Sequence, residues 1–256
     1  MKIATWNVNS IRSRLERLLI WLEKSQPDVV CLQELKATDT DFPYGAIREA
    51  GYHIAVHGQK VYNGVAILSR MGSTLVHRDM DDGVEDPQAR FLAAEISGIH
   101  VITVYMPNGQ VVGTEPYAYK LQWFRRLRAY LERQFTPQMP VVVCGDLNVA
   151  RDEKDVAHPA KWAHSVLFDR GSRQALEHLL AWGLVDVFRQ SHPEGGLYSW
   201  WDYRMLAFPK NDGLRLDYIL VTVPLAKRCA GAEIDRQERK GEKPSDHAPV
   251  WGVFQD

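Results

Sequence analysis

Near the end of the chain a carboxylate and an imidazole stand side by side between two prolines, in Pro244-Ser245-Asp246-His247-Ala248-Pro249-Val250. Upstream, Trp6-Asn7-Val8-Asn9, Gln33-Glu34, Gly145-Asp146-Leu147-Asn148 and Leu216-Asp217-Tyr218 repeat the theme, each at the end of, or within, a short β-branched run. Together they offer carboxylates, amides and an imidazole. Oxygen-rich sets of this kind suit Mg²⁺ or Mn²⁺ rather than zinc. Mg²⁺ takes one or two protein carboxylates and completes its shell with water and substrate phosphate. The surplus carboxylates can orient a histidine and activate a water, which is the division of labour in metal-assisted phosphoester hydrolysis.

Each residue also has a plainer reading. Glu34 at a strand end is by default a solvated carboxylate, and Asp146 with Asn148 could form an Asx turn. Asn7 and Asn9 suit turns, Tyr105 suits a core, and a lone His247 is more often structural. Asp217 is different, because a carboxylate inside a strand needs a partner, and His247 is the economical one. It is the joint presence of the clusters that favours chemistry.

A sheet must bring these clusters to one rim. Lys2 to Thr5 with Trp6, Asp28 to Gln33, Tyr52 to Val56, Gly64 to Ser69, Phe91 to Ile96, His100 to Tyr105, Pro140 to Cys144, Leu216 to Val221 and Val250 to Phe254 read as strands. Ser13-x-x-Glu16 reads as a capping box opening a helix with Leu15, Leu18, Leu19 and Leu22 on one face. Pro116 suits the first turn of a helix to about Phe135, with Arg125, Arg126 and Arg128 on its solvated face. Ser172 is the expected cap of a helix that Gly183 closes. Long polar loops at 148–171 and 203–215 are expected binding surfaces. The helices are too few for a fully alternating series, so two packed sheets flanked by helices fit better than one doubly wound sheet.

The 256 residues, 45% hydrophobic, suffice for one large domain or two small ones. A net charge of −1 advertises no global attraction to nucleic acid, so a nucleic-acid enzyme would have to gather its basic residues on one face. Arg12, Lys36, Lys60, Lys161 and Arg215 are candidates for that face, the acidic stretch 79–86 leaving the remainder more positive. Cys31, Cys144 and Cys229 lack metal spacing and read as reduced packing thiols of a cytoplasmic protein. No signal-peptide pattern and no membrane-length apolar run is expected to send the chain to or across a membrane.

The order of these motifs resembles the exonuclease III family, within the endonuclease/exonuclease/phosphatase superfamily, over nearly the whole chain. Besides the five clusters, Leu32-Gln33-Glu34-Leu35-Lys36, Asn63-Gly64-Val65-Ala66-Ile67-Leu68, Tyr105-Met106-Pro107-Asn108-Gly109, Ser199-Trp200-Trp201-Asp202-Tyr203-Arg204 and Gly213-Leu214-Arg215-Leu216-Asp217 carry it. The resemblance implies a four-layered α/β sandwich of the deoxyribonuclease I-like kind, two packed mixed β-sheets flanked by helices, as a single domain over residues 1–256. It implies a monomeric enzyme of DNA base-excision repair using Mg²⁺, with Mn²⁺ able to substitute, on phosphodiester bonds of duplex DNA. The implied activities are abasic-site incision, 3′→5′ exonuclease action and removal of blocking 3′ groups.

Residue by residue, the resemblance makes Glu34 the chief metal ligand, with Asn7, Asp146, Asn148, Asp246 and His247 in the metal region. Asp146 would position or deprotonate the attacking water, and Asn148 would hold that water or the phosphate. His247 would donate to the phosphate, oriented by Asp217, and Tyr105 would contact the phosphate or the leaving oxygen. Lys36, Trp200, Arg204 and His164 would meet DNA. One stretch departs from the family's small-residue pattern, Ala163-His164-Ser165-Val166-Leu167-Phe168-Asp169-Arg170, whose bulk would narrow the pocket. That opens the alternative of an exonuclease and 3′-phosphatase with weak or no abasic-site activity. More distant alternatives are a phosphatase or phosphodiesterase on lipids or nucleotides, and a DNA-binding protein without catalysis.

Overall fold

Two β-α-β units organise the molecule. The computed structural model describes residues 1–255, in which twelve strands and eight α-helices are formed. The strands are β1 (Lys2–Asn7), β2 (Val29–Gln33), β3 (His53–His57), β4 (Val65–Ser69), β5 (Thr74–His77), β6 (Phe91–Ile96), β7 (Ile99–Tyr105), β8 (Val141–Asp146), β9 (Leu184–Asp186), β10 (Asp217–Thr222), β11 (Cys229–Ile234) and β12 (Val250–Phe254). The helices are α1 (Ile11–Ser25), α2 (Tyr44–Glu49), α3 (Glu115–Gln134), α4 (Pro159–Trp162), α5 (Arg170–Leu180), α6 (Val187–Ser191), α7 (Ala207–Lys210) and α8 (Val223–Ala226).

Parallel strands need a long crossover. Helix α1 supplies it between β1 and β2, and α3 between β7 and β8, the parallel pair of each sheet. All other neighbours are antiparallel, giving two mixed six-stranded sheets in the orders β11-β12-β1-β2-β4-β3 and β5-β6-β7-β8-β10-β9.

The sheets pack face to face with helices outside, which makes the expected four layers. Strand alternation sorts the side chains. On β1, Ile3 joins Val29, Cys31, Val101, Val142, Cys144 and Ile219 between the sheets. Ala4 and Trp6 face the other way, toward Leu18, Trp21 and Leu22 of α1. Helix α3 covers the second sheet with Trp123, Phe124, Leu127 and Leu131. Burial on both faces explains why these strands read as continuous apolar runs rather than alternating ones. Between the sheets one polar link stands out: the buried Gln33 amide donates at 2.9 Å to both Thr5 and Thr103, tying the two sheets just below the rim where β2 ends. Among the described residues no helix is long and apolar enough to cross a membrane.

Several local expectations are corrected. Helix α1 starts at Ile11 with Ser10 as its cap, not at Ser13. The segment after β2 decides this, because Glu34 and Leu35 carbonyls accept the Ser10 and Ile11 amides at 2.8 and 3.0 Å. Helix α5 is capped by Asp169, whose carboxylate accepts from Gly171 and Ser172; Ser172 lies inside the helix and donates its hydroxyl to Val166. The loop 148–171 holds α4 and a short 3₁₀ turn (Glu153–Asp155), and 203–215 holds α7. Arg126 is not a solvated residue but pairs with Asp82 and Asp86, drawing the acidic stretch onto α3. Arg215 is fully buried between Asp155 and Asp186, at 2.6 and 2.7 Å, and cannot grip phosphate.

Candidate active site

The C-terminal ends of both parallel pairs arrive at one rim. Asn7 ends β1, Glu34 follows β2, and Tyr105 and Asp146 end β7 and β8. Asp217 opens β10 directly opposite Asp146, and His247 lies just ahead of β12. Six distant stretches of chain therefore meet without any long loop having to reach.

The Asn7 amide is the junction, donating at 3.0 Å to Glu34 Oε2 and at 2.9 Å to Asp146 Oδ2. Tyr105 donates its hydroxyl to the same Glu34 oxygen at 3.1 Å. Glu34 itself sits at φ +56°, a left-handed conformation that turns the chain sharply at the strand end. Its other oxygen lies 2.9 Å from the Lys36 ammonium, which also donates to Asn9 Oδ1 at 2.6 Å. The Asn9 amide then reaches Asp246 Oδ1 at 2.9 Å, and the Trp200 indole donates to Asp246 Oδ2 at 3.0 Å.

Asp146 is buried and its Oδ1 accepts the Asn148 backbone amide at 2.9 Å. Asn148, at φ +49°, donates its side-chain amide to the Met106 carbonyl at 2.9 Å and accepts from Asn108 at 3.2 Å. His247 Nδ1 lies 2.8 Å from Asp217 Oδ2, and the same oxygen accepts the Ser199 hydroxyl at 2.6 Å. His247 Nε2 lies 3.6 Å from Asp146 Oδ2. That is an ion pair without a hydrogen bond, so the Nε2–H is left to donate elsewhere.

Charge explains the protonation states. Burial works against a charged His247, but Asp217, Asp146 and Asp246 outweigh it and raise the ring to about 10, so the imidazolium persists at neutral pH. Burial pushes Asp146 up to about 7, with Asp217 adding to the rise and His247 opposing it together with the Asn148 and Asn7 donors. Burial, reinforced by Glu34 and Asp146, lifts Tyr105 well above its usual value and keeps it a phenol.

Hard oxygens converge at two points that could attract an ion. The carboxylates of Asp146 and Asp217 and a ring nitrogen of His247 lie within 4.8 Å of one another. An ion there would have to displace the proton that these carboxylates hold on His247. The Glu34 side is the better fit: Glu34 Oε1 and Asn9 Oδ1 already converge on the positive charge of Lys36.

The rim thus gathers Asn7, Glu34, Tyr105, Asp146, Asn148, Asp217 and His247 by direct contacts, with Asp246 joined to them through Asn9 and with Lys36 and Trp200 attached at the edge. Two expected residues stand apart. His164 is exposed, and among the described residues no hydrogen bond joins it to the cluster. Arg204 is also exposed and pairs with its neighbour Asp202. Sequence reading left Ser199 and Asn108 without roles although both lay in quoted motifs. It also missed Met205 and Leu206, 82% and 67% exposed on left-handed backbone beside Tyr203, whose hydroxyl meets Arg14 at the rim. The available signal was the apolar run Met205-Leu206-Ala207-Phe208 inside a stretch read as a polar loop.

Comparison with known proteins gives the chain's family and fold. The profile of the endonuclease/exonuclease/phosphatase family matches residues 4–247. The exodeoxyribonuclease III of Haemophilus influenzae is 35% identical over 266 residues, covering 99% of this chain and all of that one. An AP endonuclease from Archaeoglobus fulgidus superposes with a TM-score of 0.97 at 42% identity, each chain fully covered. The 3′ phosphatase NExo from Neisseria, solved bound to product DNA hairpin, gives 0.96 at 40% identity, again with full coverage of both chains.

Proposed function

The chain belongs to the endonuclease/exonuclease/phosphatase family, as a DNA-repair nuclease of the exonuclease III type, and from that premise we propose that it is a Mg²⁺-dependent hydrolase of phosphodiester bonds in duplex DNA. The observation that carries this reading is the Asn7 amide joining Glu34 to Asp146 beside the Asp217–His247 pair. Glu34, with Asn7 and the carboxylates of Asp146 and Asp246 nearby, would hold the ion. When bound it would polarise a phosphoryl oxygen and neutralise growing charge, with Mn²⁺ able to serve in its place.

The protein groups divide the remaining work. Asp146 takes the proton of the attacking water as that oxygen bonds to phosphorus. Asn148 holds the water or the phosphate by its amide. His247 enters as the imidazolium and donates Nε2–H to the phosphate as negative charge grows and the bond to the leaving oxygen breaks. Asp217, fixed by Ser199, keeps the ring oriented. Tyr105 donates a phenol hydrogen bond to the phosphate or the leaving oxygen, which departs and takes a proton from solvent, while Asp146 releases the water's proton to solvent.

Duplex DNA would meet the rim through Lys36, Trp200, Arg204 and His164, largely by phosphate contacts that weaken with salt. The exposed Met205 and Leu206 suit insertion between base steps. A monomer acting in the cytoplasm on damaged duplexes or their 3′ ends completes the reading, and the three free cysteines fit a reducing compartment.

A specific observation favours 3′-end processing over abasic incision. Val166, Leu167 and Phe168 are buried against Val156, Leu214 and Leu216, and Trp162 meets Trp200 edge-on at 6.0 Å. Bulk in this segment, which reaches Trp200 through Trp162, would leave less room for an extruded sugar than for a terminal phosphate. A recessed duplex, a duplex ending in 3′-phosphate and an abasic duplex, incubated in parallel, test both levels. Mg²⁺-dependent release of nucleotide and phosphate, outpacing abasic incision, is expected; faster abasic incision would overturn the 3′-end preference, and inactivity on all three would overturn the function. In the same assay Glu34→Ala should raise the Mg²⁺ concentration needed for half-maximal rate by roughly tenfold or more, the size of a lost direct or supporting ligand contact. An unchanged metal titration would remove Glu34 from the ion's shell.

A further inference from the structure

A buried lysine that the chemistry above does not use sits directly behind the site. Lys120, on α3, is fully buried. Among the described residues no carboxylate lies within ion-pair distance of it. Its Nζ donates instead to three backbone carbonyls: Val166 at 2.6 Å, Asn148 at 2.7 Å and Asn108 at 3.2 Å. An ammonium has three N–H groups, so each is matched to one carbonyl. Burial pulls the group down to about 7, with Asp169 and Asp146 resisting. The three acceptors favour the charged form, because a neutral amine would leave one of them unmet. Burying an ammonium without a counter-charge is costly, and packing alone would be served by leucine or methionine.

The three carbonyls come from two connections at the rim, the one after β7 and the two ends of the 148–171 stretch after β8. Asn108 follows β7, Asn148 follows β8, and Val166 lies in the bulky segment ahead of α5. The middle contact is the informative one. Asn148 holds a left-handed backbone, φ +49°, a conformation that asparagine adopts more readily than most side-chain-bearing residues and that a turn at a strand end uses. Its amide is fixed by Asp146 and its carbonyl by Lys120, so the residue is held from both sides. Its side-chain oxygen faces the Asn108 amide, whose own carbonyl Lys120 also holds. Gly109 makes this possible: a Cβ there would stand 2.9 Å from Lys120 Cδ.

We propose that Lys120 is a positioning residue that sets Asn148 against the reacting phosphate by clamping the carbonyls of Asn108, Asn148 and Val166. The proposal rests on the role given to Asn148 above. Lys120 touches no reacting atom; its effect passes through backbone. A displacement of about 1 Å at a catalytic group can cost on the order of 10²-fold in rate, so the clamp need not hold the fold together to matter.

The test is a cycle of Lys120→Met, Asn148→Ala and the double variant, with Lys120→Arg as the conservative control, all assayed on a recessed duplex. Lys120→Met should lower kcat by roughly tenfold or more with KM changed less than about threefold, and Lys120→Arg should restore much of the loss. Added to Asn148→Ala, Lys120→Met should cost less than about threefold, because both act through one group. Losses that multiply, or a kcat within about twofold of wild type in Lys120→Met, would overturn the clamp. If Lys120→Met does not fold, Gly109→Ala takes its place in the cycle, since its Cβ displaces the lysine without removing the charge. A fully active Asn148→Ala would instead sink the role of Asn148 itself, a failure distinct from that of Lys120.

Discussion

Asp146→Asn is expected to lower kcat by about 10² to 10⁴, the range for loss of a general base, while duplex binding stays close to wild type. The substitution is isosteric, and it keeps an oxygen for the Asn148 or Asn7 amide. What it removes is the charge and the capacity to accept a proton. No neighbour can take over. His247 is held protonated by the carboxylates around it and can only donate, and Tyr105 is held as a phenol. Glu34 is engaged by Asn7, Tyr105 and Lys36. Single-turnover rates and fluorescence anisotropy of a labelled duplex separate chemistry from binding. Wild-type turnover in this variant would take Asp146 out of the mechanism.

The second large effect is on the Asp217–His247 pair. His247→Ala removes a donor aimed at growing negative charge, a loss of roughly 10² to 10³ in kcat. Asp217→Ala is expected to approach the same loss although Asp217 touches no substrate. It holds His247 Nδ1 at 2.8 Å, fully buried, and is itself fixed by Ser199 at 2.6 Å. Without it the ring loses both its orientation and much of the field that keeps it charged. The double variant should therefore be little worse than His247→Ala alone, because groups that act as a unit are far from additive. Losses that multiply across the two sites would mean that Asp217 and His247 work independently.

Much of the site was legible because its residues interrupt apolar runs. Asn7, Glu34, Asp146 and Asp217 each break or end a strand whose other positions are buried, and a polar residue there needs a reason. Their convergence follows from the two parallel pairs, whose strand ends are brought to the same rim by crossover helices α1 and α3. What could not be read depended on partners far along the chain. Arg215 looks like a surface cation until Asp155 and Asp186 close around it. Arg126 looks solvated until the acidic stretch folds back onto α3. The cap of α1 moved from Ser13 to Ser10 because carbonyls after β2 take up the first amides. Lys120 gave no signal at all, since the same spacing on α3 fits an exposed lysine. Short strands such as β5 and β9 carry too few residues to show a period.

The central claim is that side chains from distant strands form one cation-holding pocket whose ion rests on Glu34 while His247 and Asp217 remain a proton-bearing pair. Anomalous diffraction from crystals equilibrated with Mn²⁺ tests it directly. The account predicts a peak within coordination distance of the Glu34 carboxylate and none between Asp217 and His247. A peak seated on the Asp146–Asp217–His247 group with Glu34 unbound, or no peak at saturating Mn²⁺, would contradict it.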